Sequence, residues 1–345
     1  MRSTRSASRT AWCSLLGLVL AILMTGTPAA AQTPIKFLLA WTYEPPTSAW
    51  TLAQTSGCFK RNGLDVTIDG GRGSGDTLSK VAAGAYDIGI ADFSALVLFN
   101  DKFPAQRMIA TMIMNDRAPM SIGVLKKSGI TRPQDIVGKR VADNVGEASR
   151  QMFPAFAKAN GIDPSSITWI NVAPNLREAS LVRGQADVAA GNFLTIWVGL
   201  HRLGLKDSDF TLMPYADWGV DMMGNSVVTK PAWAKAHPDV LKKFNACGIE
   251  AIRTSILQPP VAVDSLKPYN KLIDREQGIE ELKIANRVTS MTDYVKKNGL
   301  GGVDAGRVDK ALNEISSALN IAKPAADQVW TDAYLPPAKD RMVNP

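Results

Sequence analysis

Six short stretches of the chain carry side chains suited to holding a small polar molecule. Trp41, Tyr43, Glu44 and Ser48 follow the apolar run Ile35 to Ala40, and Arg72 and Ser74 lie in a Gly-rich passage, Gly70 to Gly75. Asp92, Phe93 and Ser94 follow the apolar run Ile88 to Ala91. Further on come Asn144 to Ser149, Asn175 to Arg177, and Asn192 to Thr195. These residue types argue for binding. Hydroxyls, amides and free backbone N–H groups can replace the hydration shell of a sulfonate or carboxylate without burying a full cation. Trp41 and Tyr43 can stack on a ring or cover an alkyl chain, whereas Trp50 is read as packing a helix against its sheet. Ser48, Ser74 and Ser149 each stand where a helix begins, so both capping and ligand contact are open to them. Glu44 is read as facing water, with acceptance from an amine as the alternative, and Asp92 as capping the helix that follows it. Arg72 and Arg177 are the cations that could face the ligand, with solvated loop arginines as the alternative, and Trp218 is read as a core residue with one edge toward it.

Bond-breaking chemistry has little to work with. No nucleophile–base pair is apparent, and Cys58, Cys247, His201 and His237 stand at spacings that make no metal-ligand cluster. No catalytic residue, cofactor or metal is therefore expected. Cys58 and Cys247 are either a disulfide or two free buried thiols.

The elements that position these residues repeat. Leu64 to Ile68 reads as a strand, Gly70 to Gly75 as a loop, Leu78, Val81 and Ala82 as one face of a helix stopped at Gly84, and Asp87 to Ala91 as a buried strand. Gly84-Ala-Tyr-Asp87-Ile has a counterpart in Gly184-Gln-Ala-Asp187-Val, again after a strand, a loop and a short helix. Two such βαβ units predict two α/β lobes facing each other across a gap, with ligand at the carboxyl ends of the strands. The expected first lobe takes residues 32–125 and 225–345, the second 126–224, with crossings near 123–127 and 223–227 as the hinge. Helices are predicted from Ala49 to Ser56, Arg150 to Asn160, Pro231 to Ser255, Asp264 to Glu276 and Val303 to Leu319. Pro154 is acceptable only in a first helical turn.

The 345 residues are 46% hydrophobic and 21% charged, an ordinary globular composition. Residues 1–31 read as an export signal: arginines, an apolar run from Ala11 to Met24, and Ala29-Ala30-Ala31 as a cleavage site. The net charge of +7 falls to +4 without its Arg2, Arg5 and Arg9. The remaining basic pairs are scattered, with no basic-aromatic stripe for nucleic acid. An exported, periplasmic monomer that meets a small molecule is the expectation.

With these residues in hand, the chain resembles the periplasmic solute-binding proteins of the nitrate/sulfonate/taurine group, the NitT/TauT, SsuA/THI5-like or NMT1 family. The resemblance rests on Phe37-Leu-Leu-Ala-Trp41, on Gly57-Cys-Phe59 through Gly63-Leu64-Asp65-Val66, and on Gly71 through Asp92. Ser128-Gly-Ile through Gly138-Lys-Arg-Val, and Tyr215-Ala-Asp217-Trp-Gly219 leading to Gly224-Asn225, complete it. It implies a type II periplasmic-binding-protein fold, two lobes joined by a two-crossing hinge, ligand delivery to an ABC permease, and no catalysis. Ala40 and Tyr43-Glu44-Pro-Pro-Thr47 depart from the Asp and Asn-x-x-His of the pyrimidine-precursor relatives, which leaves a sulfonate- or taurine-like ligand ahead of a pyrimidine. Phe193-Leu-Thr195 also stands where many relatives carry an acid.

Overall fold

In a computed structural model, residues 32–220 and 222–343 are described; the export signal expected at 1–31 lies outside them. Ten strands form two five-stranded sheets of the same plan. In the first, β1 (Thr33–Leu38) lies between and parallel to β2 (Leu64–Asp69) and β3 (Ile88–Asp92). β4 (Ile109–Ile113) forms the far edge, and β10 (Asn225–Thr229) runs antiparallel between β3 and β4. In the second, β6 (Arg140–Asp143) lies between and parallel to β7 (Thr168–Asn171) and β8 (Val188–Asn192). There β5 (Met120–Leu125) runs antiparallel between β8 and β9 (Phe210–Pro214).

Burial follows each strand's place. Edge strand β2 alternates buried and exposed residues along its length, because only one face is covered. The inner strands β3 and β5 are buried throughout and read as unbroken apolar or small-residue runs. That uniform apolarity hides a strand's partner. The sequence assigns Met120–Leu125 to the end of the first lobe, whereas it is an inner strand of the second sheet. The chain accordingly crosses between Ile113 and Met120, earlier than the expected 123–127, and returns between Pro214 and Asn225.

The repeat extends to individual hydrogen bonds. Gly84 and Gly184 end their helices with φ of 80° and 70°, a conformation that costs glycine nothing. Three residues on, Asp87 accepts the backbone N–H of Lys36 in β1 at 2.8 Å, and Asp187 accepts that of Arg140 in β6 at 3.0 Å. At the far ends of β3 and β8, Asp92 caps the helix Phe93–Lys102 and Asn192 caps the helix Phe193–Arg202. Each lobe thus aims a helix N-terminus toward the other.

Three helix expectations change. Pro231 to Ser255 is two helices, Pro231–Ala236 and Pro238–Leu257, broken at His237. The stretch predicted as one helix from Arg150 is two, Ala148–Gln151 and Phe153–Ala159, and Pro154 falls in the first turn of the second. Asp264 to Glu276 is not helical throughout. The chain turns between the helices Pro259–Asp264 and Arg275–Ala285, Pro268 falls in that turn, and Asp274 caps the later helix. The amphipathic helix Ala305–Leu319 packs against both Phe93–Lys102 and Phe153–Ala159, so apolar packing continues from one lobe to the other.

Beneath the first sheet, Phe37, Trp50, Phe59 and Phe244 pack ring against ring, with centroids 4.8–5.3 Å apart. Gly248 lets the long helix Pro238–Leu257 approach, since a Cβ there would stand 2.7 Å from the Trp50 ring. A disulfide joins Cys58 to Cys247 beside this cluster, with Cα atoms 5.7 Å apart and a sequence separation of 189. It restricts a very long loop of the unfolded chain, so reduction is expected to cost about 2–4 kcal/mol. Urea unfolding with and without reductant measures this; equal midpoints would show that the cross-link carries none of the stability.

Candidate functional site

The site is a cavity where the strand ends of the two sheets face each other, with a volume of about 90 Å³. All six polar stretches named from the sequence contribute to its wall: Trp41, Glu44 and Thr47; Ser74; Asp92; Glu147; Arg177; Asn192 and Thr195. Met114, Asn115 and Asn225 add the two crossings, and Asn286, Thr289 and Ser290 come from the C-terminal part of the first lobe.

Of the residues expected to meet a ligand, Trp41, Ser74, Asp92, Asn192 and Thr195 lie on the cavity wall. The others do not. Tyr43 donates its hydroxyl to the Ile68 carbonyl at 2.7 Å and, with exposed Arg72, lines a separate shallow groove on the outer side of the lobe seam. Phe93 is core, and Ser94 donates to the Asp92 carboxylate from within the cap. Ser48 is fully buried in the first turn of the helix Ser48–Thr55. Ser149 is buried and donates to Asp143 at 2.7 Å, while Trp218 packs against the core from the turn Tyr215–Trp218. Ser94 and Ser149 spend their hydroxyls on carboxylates of their own lobe, whereas Ser74 and Thr195, also in first helical turns, reach the cavity.

The lobes touch across the cavity. Thr195 donates to Glu44 Oε1 at 3.0 Å, and the Gly75 N–H donates to the Gly146 carbonyl at 2.8 Å. Backbone approach at Gly73 is so close that a Cβ would lie 2.6 Å from the Gly146 carbonyl oxygen. The geometry is that of a closed clamp.

Its electrostatics are dominated by carboxylates taken out of water. Burial pushes the Glu44 carboxyl up to about 8; the Thr195 hydrogen bond, Arg177 and Arg202 pull against this, and Glu281 adds to it. Glu147 is raised to about 7, first by burial and then by Asp92 and Glu178, with Arg177 opposing. Asp92 reaches about 6 through burial, despite accepting the N–H and hydroxyl of Ser94. Behind the wall, burial and Glu147 hold Asp143 well above the usual carboxylate range.

Arg177 is the hub. It is 1% exposed, its Nε donates to Glu178 Oε1 at 2.7 Å, and its Nη1 lies 3.8 Å from Asp143 Oδ1. Burial pulls its proton affinity down, but Glu178, Asp143 and Glu147 more than offset this and hold it above its ordinary range. The guanidinium also lies over the Trp41 ring, 5.5 Å from the centroid. Only a glycine at 191 leaves room, because a Cβ there would sit 2.1 Å from Arg177 Nη1.

Sequence reasoning therefore missed the burial of Glu44 and the separate importance of Glu147. It also had no signal for Asn115, Asn286, Thr289 and Ser290, which reach the site from distant turns and helix ends. The double proline after Glu44 was the one local hint, since Pro45 and Pro46 fold the loop inward through the turn Pro45–Thr47.

Two duplicated α/β lobes, crossed twice by the chain and closed on a polar cavity, define the periplasmic-binding-protein fold. The chain belongs to the NMT1/THI5-like family, whose family model matches residues 45–260. It is 25% identical over 284 residues to the taurine-binding periplasmic protein of Escherichia coli, covering 80% of this chain and 84% of that one. It is 28% identical over 163 residues to a 4-amino-5-hydroxymethyl-2-methylpyrimidine phosphate synthase of Legionella pneumophila, covering 47% of this chain and 50% of the synthase. The matched stretch thus spans about half the length of that relative. In structure it is similar to the alkanesulfonate-binding protein SsuA of Xanthomonas axonopodis pv. citri bound to MOPS. That similarity has a TM-score of 0.65 at 15% identity, over 90% of this chain and 100% of that one.

Proposed function

We propose that the chain is the extracytoplasmic solute-binding component of an ABC importer, which captures a small organic molecule between its lobes and delivers it to a membrane permease. In this reading the lobes are residues 33–114 with 225–343, and residues 120–214. The observation that carries it is the small polar cavity sealed by contacts made from both lobes. Such a clamp binds when open and excludes water when closed, and the closed shape is what a permease can recognise. A sulfonate- or taurine-like solute is the ligand class suggested by the relatives. Among the described residues, no helix is long and apolar enough to cross a membrane. The protein acts as a monomer and catalyses nothing; the synthase relatives make turnover the rival outcome.

A thermal-shift panel of taurine, alkanesulfonates, nitrate, aromatic carboxylates and an aminopyrimidine tests this. A ligand that binds only the folded chain raises its stability by about RT ln(1 + [L]/Kd), so one clear riser is expected. A Kd near micromolar, about −8 kcal/mol, suits a carrier that must also release its cargo. No riser, together with turnover of a panel member, would replace transport with catalysis. Trp41→Ala and Ser74→Ala are expected to weaken binding of the riser roughly tenfold or more, the loss of about 1.4 kcal/mol each. Calorimetry reads the affinity, and unchanged values in both would move the pocket elsewhere.

A further inference from the structure

The first crossing passes from one lobe to the other within a few residues. Asn115, Asp116 and Arg117 are tied to the first lobe. Asn115 donates its amide N–H to the Thr289 hydroxyl at 3.0 Å, and the Arg117 backbone N–H donates to the Thr289 carbonyl at 3.3 Å. Asp116 accepts the Thr292 hydroxyl and the Arg307 guanidinium. Two residues beyond Arg117 the tie is to the second lobe, where the Pro119 carbonyl accepts the N–H of Phe193 at 2.8 Å. Ala118, between them, donates its N–H to the Met222 carbonyl of the return crossing at 2.6 Å. Rotation of one lobe against the other therefore falls on the backbone around Ala118 and Met222.

Two of these first-lobe ties meet at one residue. Thr289 lies in the turn Asn286–Ser290, where the helix Arg275–Ala285 ends in π-helical form. The Met291 N–H donates to the Asn286 carbonyl, five residues back, at 2.8 Å. Such turns are rare and frequently mark functional positions. Here the widened turn brings Asn286, Thr289 and Ser290 to the cavity wall, which Asn115 and Asn225 of the crossings also line. Thr289 is buried, and its hydroxyl donates to the Ala285 carbonyl at 2.9 Å while accepting from Asn115. One buried hydroxyl thus joins the wall of the cavity to the strand on which the lobes turn.

We propose that Thr289 is the positioning residue for closure. By holding Asn115 it fixes the first crossing at the angle that the closed clamp requires, and so sets how often the empty lobes meet. The proposal rests on the clamp reading given above. A solute gripped between closed lobes has its affinity scaled by the fraction of protein already in the closed form, whatever that solute is. A residue that touches solute acts differently, since its loss weakens each solute according to the contact that solute makes.

Thr289→Val removes the hydroxyl and keeps the branched shape, whereas Thr289→Ser keeps the hydroxyl. X-ray scattering of the solute-free protein reads the separation of the lobes, and calorimetry reads the affinity for taurine and for ethanesulfonate. Thr289→Val is expected to enlarge the solute-free radius of gyration and to weaken both solutes by one common factor, roughly tenfold. Thr289→Ser should match the unaltered protein in both measurements. Asn115→Leu breaks the same bond from the other side and should enlarge the radius likewise; it carries the test should Thr289→Val fail to fold. The unfolding transition checks folding in each variant. A radius unchanged in both Thr289→Val and Asn115→Leu overturns the proposal, since a merely structural role would move the unfolding midpoint alone. So does a weakening in Thr289→Val that differs several-fold between the two solutes, which would make Thr289 a contact residue. Should neither solute bind, the scattering result decides by itself, and the wider thermal-shift panel judges the solute site separately.

Discussion

Raising the pH of the ligand-free protein from about 5 to about 8 is expected to lower its stability and open the cleft. The sign follows from the direction of the shifts. Glu44, with a usual value of 4.5, is pushed up to about 8, Glu147 and Glu281 to about 7, and Asp92 from 3.8 to about 6. In each case burial is the largest cause. A carboxyl whose folded value is raised binds its proton more tightly in the folded, closed form than in the unfolded or hydrated one. Its contribution is complete below the ordinary carboxylate range and is lost as pH climbs through the raised value. Each such group is worth about 1.4 kcal/mol per pH unit while it titrates in one state only.

The surrounding charges do not reverse this. Arg177 and Arg202 face Glu44 and oppose part of its shift, whereas Glu281 reinforces it. Glu281 is itself fully buried, and neither of its oxygens has a hydrogen-bond partner among the described residues; its nearest cation is Arg202 at 3.9 Å. Carboxylates with lowered values, such as Asp135 and Asp264 at about 2, lose their contribution only in stronger acid, outside this window. The melting temperature should therefore fall steadily from about pH 5 to about pH 8, and the radius of gyration in X-ray scattering should grow as the lobes part. Glu44→Gln, neutral at every pH, should flatten the slope. A melting temperature that rises over this interval, as it does for a protein held by ordinary surface ion pairs, would contradict the assignment of these carboxyls to a closed, dry cleft.

Replacing Arg177 should be the most damaging single change near the site. The side chain stabilises little as a free-standing charge, since removing it from water is costly; what it does is neutralise Asp143 and Glu178, which are buried with it. Arg177→Met leaves those acids without their counter-charge, and breaking a buried pair from one side typically costs about 3–5 kcal/mol. Arg177→Lys should recover little. An ammonium is a single point of charge and cannot reach Glu178, Asp143 and the Trp41 face together as the planar guanidinium does. Gly191→Ala reaches the same end by another route, forcing the guanidinium out of the place where a Cβ would stand. Urea unfolding of the three variants checks this. A loss below about 1 kcal/mol in Arg177→Met would mean that the acids around it are adequately solvated.

Much of this architecture was legible in the residues themselves. Strand and helix periods, glycines at 84 and 184, and the matching Asp87 and Asp187 encode local backbone states that form wherever the segment lies, and so the repeated α/β unit could be read directly. Asp92 as a helix cap belongs to the same class, because a cap bonds to an N–H two residues away; that Asn192 does the same in the second lobe came from the structure. What the tertiary structure alone decided was anything that depends on which segment meets which. Met120–Leu125 is apolar enough for either sheet, and its partner strand assigns it to the second. Cys58 and Cys247 were two cysteines until the helix Pro238–Leu257 laid one beside the other. Glu44 looked like a solvated loop acid, and it is the closing of a lobe from 151 residues further along the chain, through Thr195, that takes it out of water. Local patterns set backbone conformation because their energies are short-ranged. The protonation of a carboxyl depends on how much water remains within a few ångströms of it, and in this protein that is settled by residues far away in sequence.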